Sequence, residues 1–164
     1  MSLFIRAATH ADAGAIAAIH NETIRARTST METDQKTPES VTEWLEGLGP
    51  REAVLVGEEH GVLVGWGVIK HYSPRPGYRF AGETSVFLRH DVRGRGIGTA
   101  LKKAVIARAR ALGYHHLVAR IVASNAGSIA YNERLGYELV GIQREAGYLQ
   151  GKRCDIAVMQ LVLG

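Results

Sequence analysis

The stretch Asp91–Val105, DVRGRGIGTALKKAV, places three glycines within five residues, directly before a segment with helical periodicity. Glycine costs backbone entropy at a helix start, where Ser, Thr or Asp is the usual cap. The first N–H groups of a helix have no intrahelical acceptor, and the helix dipole makes that end positive. Without Cβ atoms an anion can approach these amides, and Arg93 and Arg95 can add charge-assisted hydrogen bonds. The stretch predicts a phosphate site, with a plain helix-capping surface turn as the alternative.

Two other phosphate-binding motifs are excluded by the spacing of these glycines. The chain has no GxxxxGK[ST] run, and GxGxxG fails in both registers because Thr99 and Leu101 occupy the third glycine position. What remains is Arg93-x-x-Gly96-x-Gly98 in front of a helix that begins near Ile97.

Composition is typical of a globular protein. The 164 residues are 46% hydrophobic and 22% charged, which predicts one domain over 1–164. The net charge of +4 favours anionic small molecules. Nucleic acid is not expected as a partner, because the basic residues are scattered.

No apolar run reaches the roughly 18 residues that span a bilayer, so no membrane partner is expected. The N-terminal stretch does not resemble a signal peptide, and Cys154 is the single cysteine, so we expect a reducing, cytoplasmic location.

Hydrophobic periodicity predicts the element order β-α-α-β-β-β-α-β-α-β-β, which is a mixed α/β (α+β) fold. Asp12 is predicted to cap the first helix. Two apolar strands flank Glu58, Glu59, His60 and Gly61, which predicts a hairpin.

Two blocks of the sequence resemble the GCN5-related N-acetyltransferases (GNAT). VRGRGIGTAL is similar to that superfamily's acetyl-CoA signature, Q/R-x-x-G-x-G/A, and NAGSIAYNERLGY is similar to its second block. The segments IHNETI, TPESVTEWL, SPRPGYR, GETSVFL and LQGKRCDIAVMQLVL resemble the phosphinothricin/methionine sulfoximine acetyltransferase branch. The resemblance implies a central mixed, mostly antiparallel sheet of about seven strands flanked by about four helices.

The resemblance also implies acetyl-CoA as co-substrate, without a metal. The fourth strand would pair through its backbone with the pantetheine arm, as an added strand does. Asn125 would contact the same arm, and it can also cap the helix that follows. The residues implied in acetyl-CoA binding are Val86, Phe87, Leu88, Arg93, Gly94, Arg95, Gly96, Ile97, Gly98, Thr99, Asn125 and Ser128.

Two residues are implied in catalysis. Glu83 matches the branch's glutamate and would act as general base on the amine, directly or through water. The alternative is a solvated carboxylate at the end of a strand. Tyr131 matches the superfamily tyrosine that hydrogen-bonds the leaving thiolate, although the branch commonly has histidine there. The alternative is that Tyr131 only packs beside Ile129 and Leu135.

The branch acetylates the α-amino group of small amino-acid-like compounds by direct attack in a ternary complex, and its members are commonly homodimers. Arg75 and Arg79 are candidates for binding the substrate carboxylate, unless both are merely solvated loop residues. Tyr78 and the Ser29–Thr33 loop, with Met31 where the branch often has an aromatic, would line the side-chain pocket. Two other functions stay open: acetylation of a protein N-terminus or lysine, and non-catalytic sensing of acyl-CoA. Glu83 together with Tyr131 favours an enzyme.

Overall fold

The computed structural model describes residues 2–26 and 30–164. Within these residues the chain forms seven strands and four α-helices, and their order confirms the sequence prediction. The strands are β1 (Leu3–Ala7), β2 (Ala53–Glu59), β3 (Val62–His71), β4 (Ala81–Leu88), β5 (His116–Val122), β6 (Glu138–Leu149) and β7 (Lys152–Val162). The helices are α1 (Ala13–Ala26), α2 (Pro38–Glu46), α3 (Ile97–Ala111) and α4 (Ala126–Arg134).

The strands form one sheet in the order β1-β2-β3-β4-β5-β7-β6. All neighbouring strands are antiparallel except β4 and β5, so the sheet is mixed and mostly antiparallel, as predicted. The parallel pairing of β4 with β5 covers only Ala81–Glu83 against His116–Val118. Beyond Glu83, β4 continues to Leu88 without a partner in β5, and the sheet is open at its centre.

Helix α3 packs closely on the central strands. Its residues Leu101 and Val105 are buried, and a Cβ atom at Gly67 of β3 would lie 2.7 Å from Val105 Cγ2. Residues Ile129 and Leu135, at α4 and its end, pack against the same apolar cluster. The opposite face of the sheet is covered by α1 and α2. These contacts fix the start of α3 relative to β4.

The first helix begins differently from the prediction. Asp12 is not the cap: Thr9 caps a short 3₁₀ turn, and Asp12 is the third residue after it, in the capping-box position. The Asp12 carboxylate accepts a hydrogen bond from the Thr9 amide at 2.8 Å and pairs with Arg6 at 2.8 Å. Hydrogen bonding to Arg6 lowers the pKa of Asp12 below its usual value. In the sequence Thr-x-x-Asp either residue fits the cap, and only the backbone distinguishes them.

Candidate active site

The start of α3 has the geometry that the glycines predict. Gly94 and Gly96 have φ values of +79° and +83°, where a side chain would strain the backbone. No side chain caps the helix, and the first backbone bond runs from the Ala100 amide to the Gly96 carbonyl at 3.1 Å. The three amides before Ala100, beginning with that of Ile97, therefore have no acceptor within the helix.

A cavity of about 610 Å³, the glycine-turn cavity, lies at this helix start. Ten of the twelve residues that the sequence implies in acetyl-CoA binding line it. They are Val86, Phe87, Leu88, Arg93, Gly94, Gly96, Gly98, Thr99, Asn125 and Ser128.

Two implied residues do not line this cavity, and three lining residues were not anticipated from the sequence: Thr23, Gly127 and Arg134. Arg95 pairs with Glu59 at 2.8 Å instead. Ile97 is fully buried in the core. Arg134, in the last turn of α4, lines the cavity. In the sequence Arg134 is indistinguishable from a cation that stabilises a helix C-terminus.

A second cavity of about 570 Å³, the β4–β5 cavity, occupies the opening between the two strands. Glu83 to Phe87 of β4 line one side, and Ala119 to Val122 of β5 line the other. The two cavities adjoin. They share the lining residues Val86, Phe87, Ser128 and Tyr131.

Glu83 is the last residue of β4 that pairs with β5, so its place in the cavity follows from the register. Lys70 stands directly opposite on β3, and its Nζ lies 3.7 Å from Glu83 Oε1. Arg120 Nη1 on β5 lies 3.4 Å from Glu83 Oε2. Two cations from the flanking strands thus position the carboxylate at the point where the sheet opens.

Tyr131 lies on α4 where the two cavities meet, and its hydroxyl donates to the Gly98 carbonyl at 3.1 Å. Burial raises the pKa of Tyr131 above its ordinary value, so the hydroxyl keeps its proton. Asn125 caps α4, accepting a hydrogen bond from the Ser128 amide at 3.1 Å, as the sequence predicts. Asn125 also lines the glycine-turn cavity.

The four substrate residues suggested by the sequence are not brought together. Met31 lines the β4–β5 cavity. Tyr78 lines a neighbouring cavity that shares Arg120 and Gln143 with it. Arg75 and Arg79 lie on an exposed loop and line neither cavity; the Arg79 guanidinium instead lies 4.5 Å from the centre of the Phe80 ring. Ser29, at the start of the expected pocket loop, lies outside the described residues.

One buried cation in the site was not anticipated from the sequence. Lys102 on α3 is 2% exposed and lines the β4–β5 cavity. Its Nζ lies 4.8 Å from the centre of the Tyr137 ring, whose hydroxyl is hydrogen-bonded to Thr84 Oγ1 at 2.7 Å. Burial lowers the pKa of Lys102 to about 7, an effect that the negative charge of Glu83 partly offsets.

Residues 2–26 and 30–164 contain neither a cluster of metal ligands nor a membrane-spanning helix. No group of three or more His, Cys, Asp or Glu side chains there could hold a metal ion. In the same part of the chain, no helix has the length and hydropathy that crossing a bilayer requires.

Comparison with known proteins establishes the family. Residues 5–158 match the family model described as acetyltransferase (GNAT) domain. The chain is 34% identical to an L-methionine sulfoximine/L-methionine sulfone acetyltransferase of Pseudomonas paraeruginosa, over 99% of this chain and 96% of the relative. The protein belongs to the GNAT family of acetyltransferases, and it is an enzyme that uses acetyl-CoA.

Solved structures agree with this assignment. The chain superposes on a phosphinothricin acetyltransferase of Sinorhizobium meliloti in complex with acetyl-CoA with a TM-score of 0.94. The identity is 30%, covering 100% of this chain and 90% of that one. It also matches a ribosomal-protein-alanine N-acetyltransferase of Brucella melitensis, with a TM-score of 0.93 and 34% identity over 98% and 99% of the two chains. The predicted GNAT fold is confirmed.

Proposed function

We propose that this enzyme transfers the acetyl group of acetyl-CoA to the α-amino group of a small amino-acid-like substrate, of the phosphinothricin or methionine sulfoximine type. One observation carries the proposal. The β4–β5 cavity is lined by Glu83 and by the part of β4 that has no partner in β5. It adjoins the glycine-turn cavity. The names of the Pseudomonas and Sinorhizobium relatives support the substrate class.

The residues fit acetyl-CoA, which supplies an activated acetyl thioester. The amides at the start of α3 and the side chain of Arg93 would hold the diphosphate, because both offer donors to an anion. The main chain of Val86, Phe87 and Leu88 would hydrogen-bond the pantetheine, since β5 leaves this part of β4 unpaired. Asn125 and Ser128 line the route between the two cavities.

Glu83 acts as the general base. An α-amino group has a pKa near 8, so at neutral pH a proton must leave before the nitrogen can attack. The Glu83 carboxylate accepts that proton, directly or through one water molecule. Lys70 and Arg120 hold the carboxylate in place.

Tyr131 donates a hydrogen bond to the departing thiolate. Its single hydroxyl hydrogen is directed to the Gly98 carbonyl and turns to the sulfur by rotation about the C–O bond. Tyr131→Phe is expected to lower kcat about tenfold, the cost of one lost hydrogen bond to a charged group, with little change in KM for acetyl-CoA. Steady-state kinetics measure this, with Tyr114→Phe as control, because it also removes one hydroxyl hydrogen bond but lines neither cavity. An unchanged kcat would remove Tyr131 from the reaction.

Attack is direct, in a ternary complex. A thiol is the strongest candidate for a covalent route, and Cys154, the single cysteine, does not line the β4–β5 cavity. Cys154→Ala is expected to retain wild-type turnover. Initial rates at several fixed concentrations of the second substrate should give intersecting double-reciprocal lines; parallel lines would indicate an acetyl-enzyme.

Release of coenzyme A thiol with a panel of amines tests the substrate class. We expect turnover with methionine sulfone, methionine sulfoximine and phosphinothricin, and little with peptides. The resemblance to the Brucella enzyme makes protein N-terminal acetylation the second candidate, so the panel includes a peptide that begins with alanine. Turnover of peptides alone would overturn the proposal, and tight acetyl-CoA binding without turnover of any amine would indicate a sensor.

The protein is also proposed to form a homodimer. Strand β6 is an edge strand with several exposed apolar side chains, which a second copy would cover. Those side chains are Leu139, Val140, Ile142 and Tyr148. Light scattering coupled to size-exclusion chromatography should give twice the mass of the 17.8 kDa chain, and a single-chain mass would contradict this expectation.

A further inference from the structure

Lys102 is a buried lysine in the wall of the active-site cavity. It lies one helical turn after Gly98 on α3, is 2% exposed, and lines the β4–β5 cavity together with Glu83. The next residue, Lys103, is exposed on the same helix. Burial distinguishes the two lysines, because an ammonium group in the interior has lost most of its hydration.

In the part of the chain that the structure describes, the Lys102 ammonium group has no ion-pair partner, and the negative charge of Glu83 acts on it only from beyond ion-pair distance. No carboxylate there lies within ion-pair distance of it, and its recorded contact is with the face of the Tyr137 ring. The Glu83 carboxylate is paired with Lys70 and Arg120 instead. Among the described residues, the buried Asn132 side-chain oxygen in the same cavity wall also lacks a hydrogen-bond partner. Buried polar groups of this kind are normally satisfied; a carboxylate would satisfy the Lys102 ammonium group, whereas the Asn132 oxygen needs a donor.

The charges that line the cavity are complementary to a zwitterion. Lys70 and Arg120 face two carboxylates, Glu32 and Glu83, and Lys102 adds a third positive charge when it is protonated. A substrate that carries only an amine would leave a protonated Lys102 without a counter-charge. An α-amino acid brings a carboxylate together with its amine and restores the balance.

We propose that Lys102 binds the carboxylate of the amino-acid substrate while Glu83 faces its α-amino group. The proposal rests on the proposed function and names the residue that makes this site specific for amino acids over simple amines. The exposed loop arginines Arg75 and Arg79 do not line the cavity and would not be needed for this contact.

Carboxylate binding at Lys102 is coupled to a proton. The pKa of Lys102 is about 7 in the free enzyme, and a bound carboxylate raises it, so the complex takes up a proton. The other charged or titratable groups around Lys102 are Glu83 on β4, Arg120 on β5, Lys70 on β3, Tyr131 on α4, Tyr137 after α4 and Glu32 before α2. At pH 8 a group with a pKa of about 7 is mostly neutral, which predicts proton uptake when the carboxylate binds.

The kinetic test compares Lys102→Met with Lys103→Met on two substrates, L-methionine sulfone and its carboxamide. Methionine matches the length of lysine and suits a buried position, and the Lys103 variant removes the same charge from the surface. We expect Lys102→Met to lower kcat/KM for the amino acid about tenfold to a hundredfold, mainly through KM. It should leave kcat/KM for the carboxamide nearly unchanged, and Lys103→Met should resemble the wild type.

Several outcomes would overturn the proposal. Equal losses on both substrates would place Lys102 at the acetyl donor or in the fold. No loss in Lys102→Met would exclude the contact, and the same selective loss in Arg75→Met alone would assign the carboxylate to the loop. If the wild-type enzyme acetylates neither compound, the proposed function fails. Calorimetry then tests separately whether Lys102 binds a carboxylate.

Calorimetry with a deaminated ligand tests the anion contact without turnover. The ligand is 4-(methylsulfonyl)butanoate, titrated at pH 8 in buffers of different ionisation enthalpy. We expect proton uptake by the wild type and weaker binding without uptake by Lys102→Met. Binding by the wild type without proton uptake, or no binding, would contradict the proposal, even if the variant does not fold.

Discussion

Replacing Glu83 by glutamine is expected to lower kcat by about 10²- to 10⁴-fold, the usual contribution of a positioned general base. Glutamine keeps the size of the side chain and cannot accept the proton of the amine. The KM for acetyl-CoA should change little, because Glu83 lines the β4–β5 cavity and not the glycine-turn cavity. Steady-state kinetics at saturating acetyl-CoA measure the effect.

The pH dependence separates a lost base from a distorted site. Without the base, only substrate whose amine is already neutral can react, and that fraction falls tenfold per pH unit below the amine's pKa near 8. The deficit of Glu83→Gln should therefore be largest at low pH and shrink towards pH 8. The control is Glu43→Gln, an exposed carboxylate on α2. A deficit that is the same at every pH, or no deficit, would exclude Glu83 as the base.

Substituting valine for Gly96 is expected to raise the KM for acetyl-CoA about tenfold to a hundredfold, by displacing the diphosphate from the amides at the start of α3. No protein atom lies within 4 Å of a Cβ at Gly96, so the added side chain would point into open space where the ligand binds. At saturating acetyl-CoA, kcat should recover towards the wild-type value.

Backbone strain is the competing cause of such an effect, and the other end of α3 controls for it. Gly113 has a φ of +88°, close to the +83° of Gly96, and also has open space around its Cβ position. Gly113→Val therefore introduces the same strain far from the cavity. A raised KM in Gly96→Val with a wild-type KM in Gly113→Val supports the phosphate site. Equal KM values in the two variants would refute it.

The sequence predicts the features that depend on local patterns. The order of elements follows from periodicity, and the helix start at Ile97 and the cap at Asn125 follow from glycine and capping preferences. Each of these features is determined by residues that are close together in the sequence, so it does not depend on tertiary contacts.

The features that the sequence did not predict depend on the point at which β4 and β5 separate. A lysine beside Leu101 is expected on the solvated side of an amphipathic helix, whereas Lys102 is buried where α3 packs against β3 and β4, and it lines the β4–β5 cavity. Arg120 reaches Glu83 because the pairing of the two strands ends at Val118. The direction of the loop that carries Arg75 is likewise a tertiary property, which spacing along the chain does not encode.

A crystal structure of the complex with acetyl-CoA tests the central claim most directly. The account predicts the diphosphate at hydrogen-bond distance from the amides of Ile97, Gly98 and Thr99. It also predicts the thioester in the opening between β4 and β5, beside Glu83. Acetyl-CoA bound with its diphosphate away from the start of α3, or with its thioester outside the β4–β5 cavity, would contradict the account.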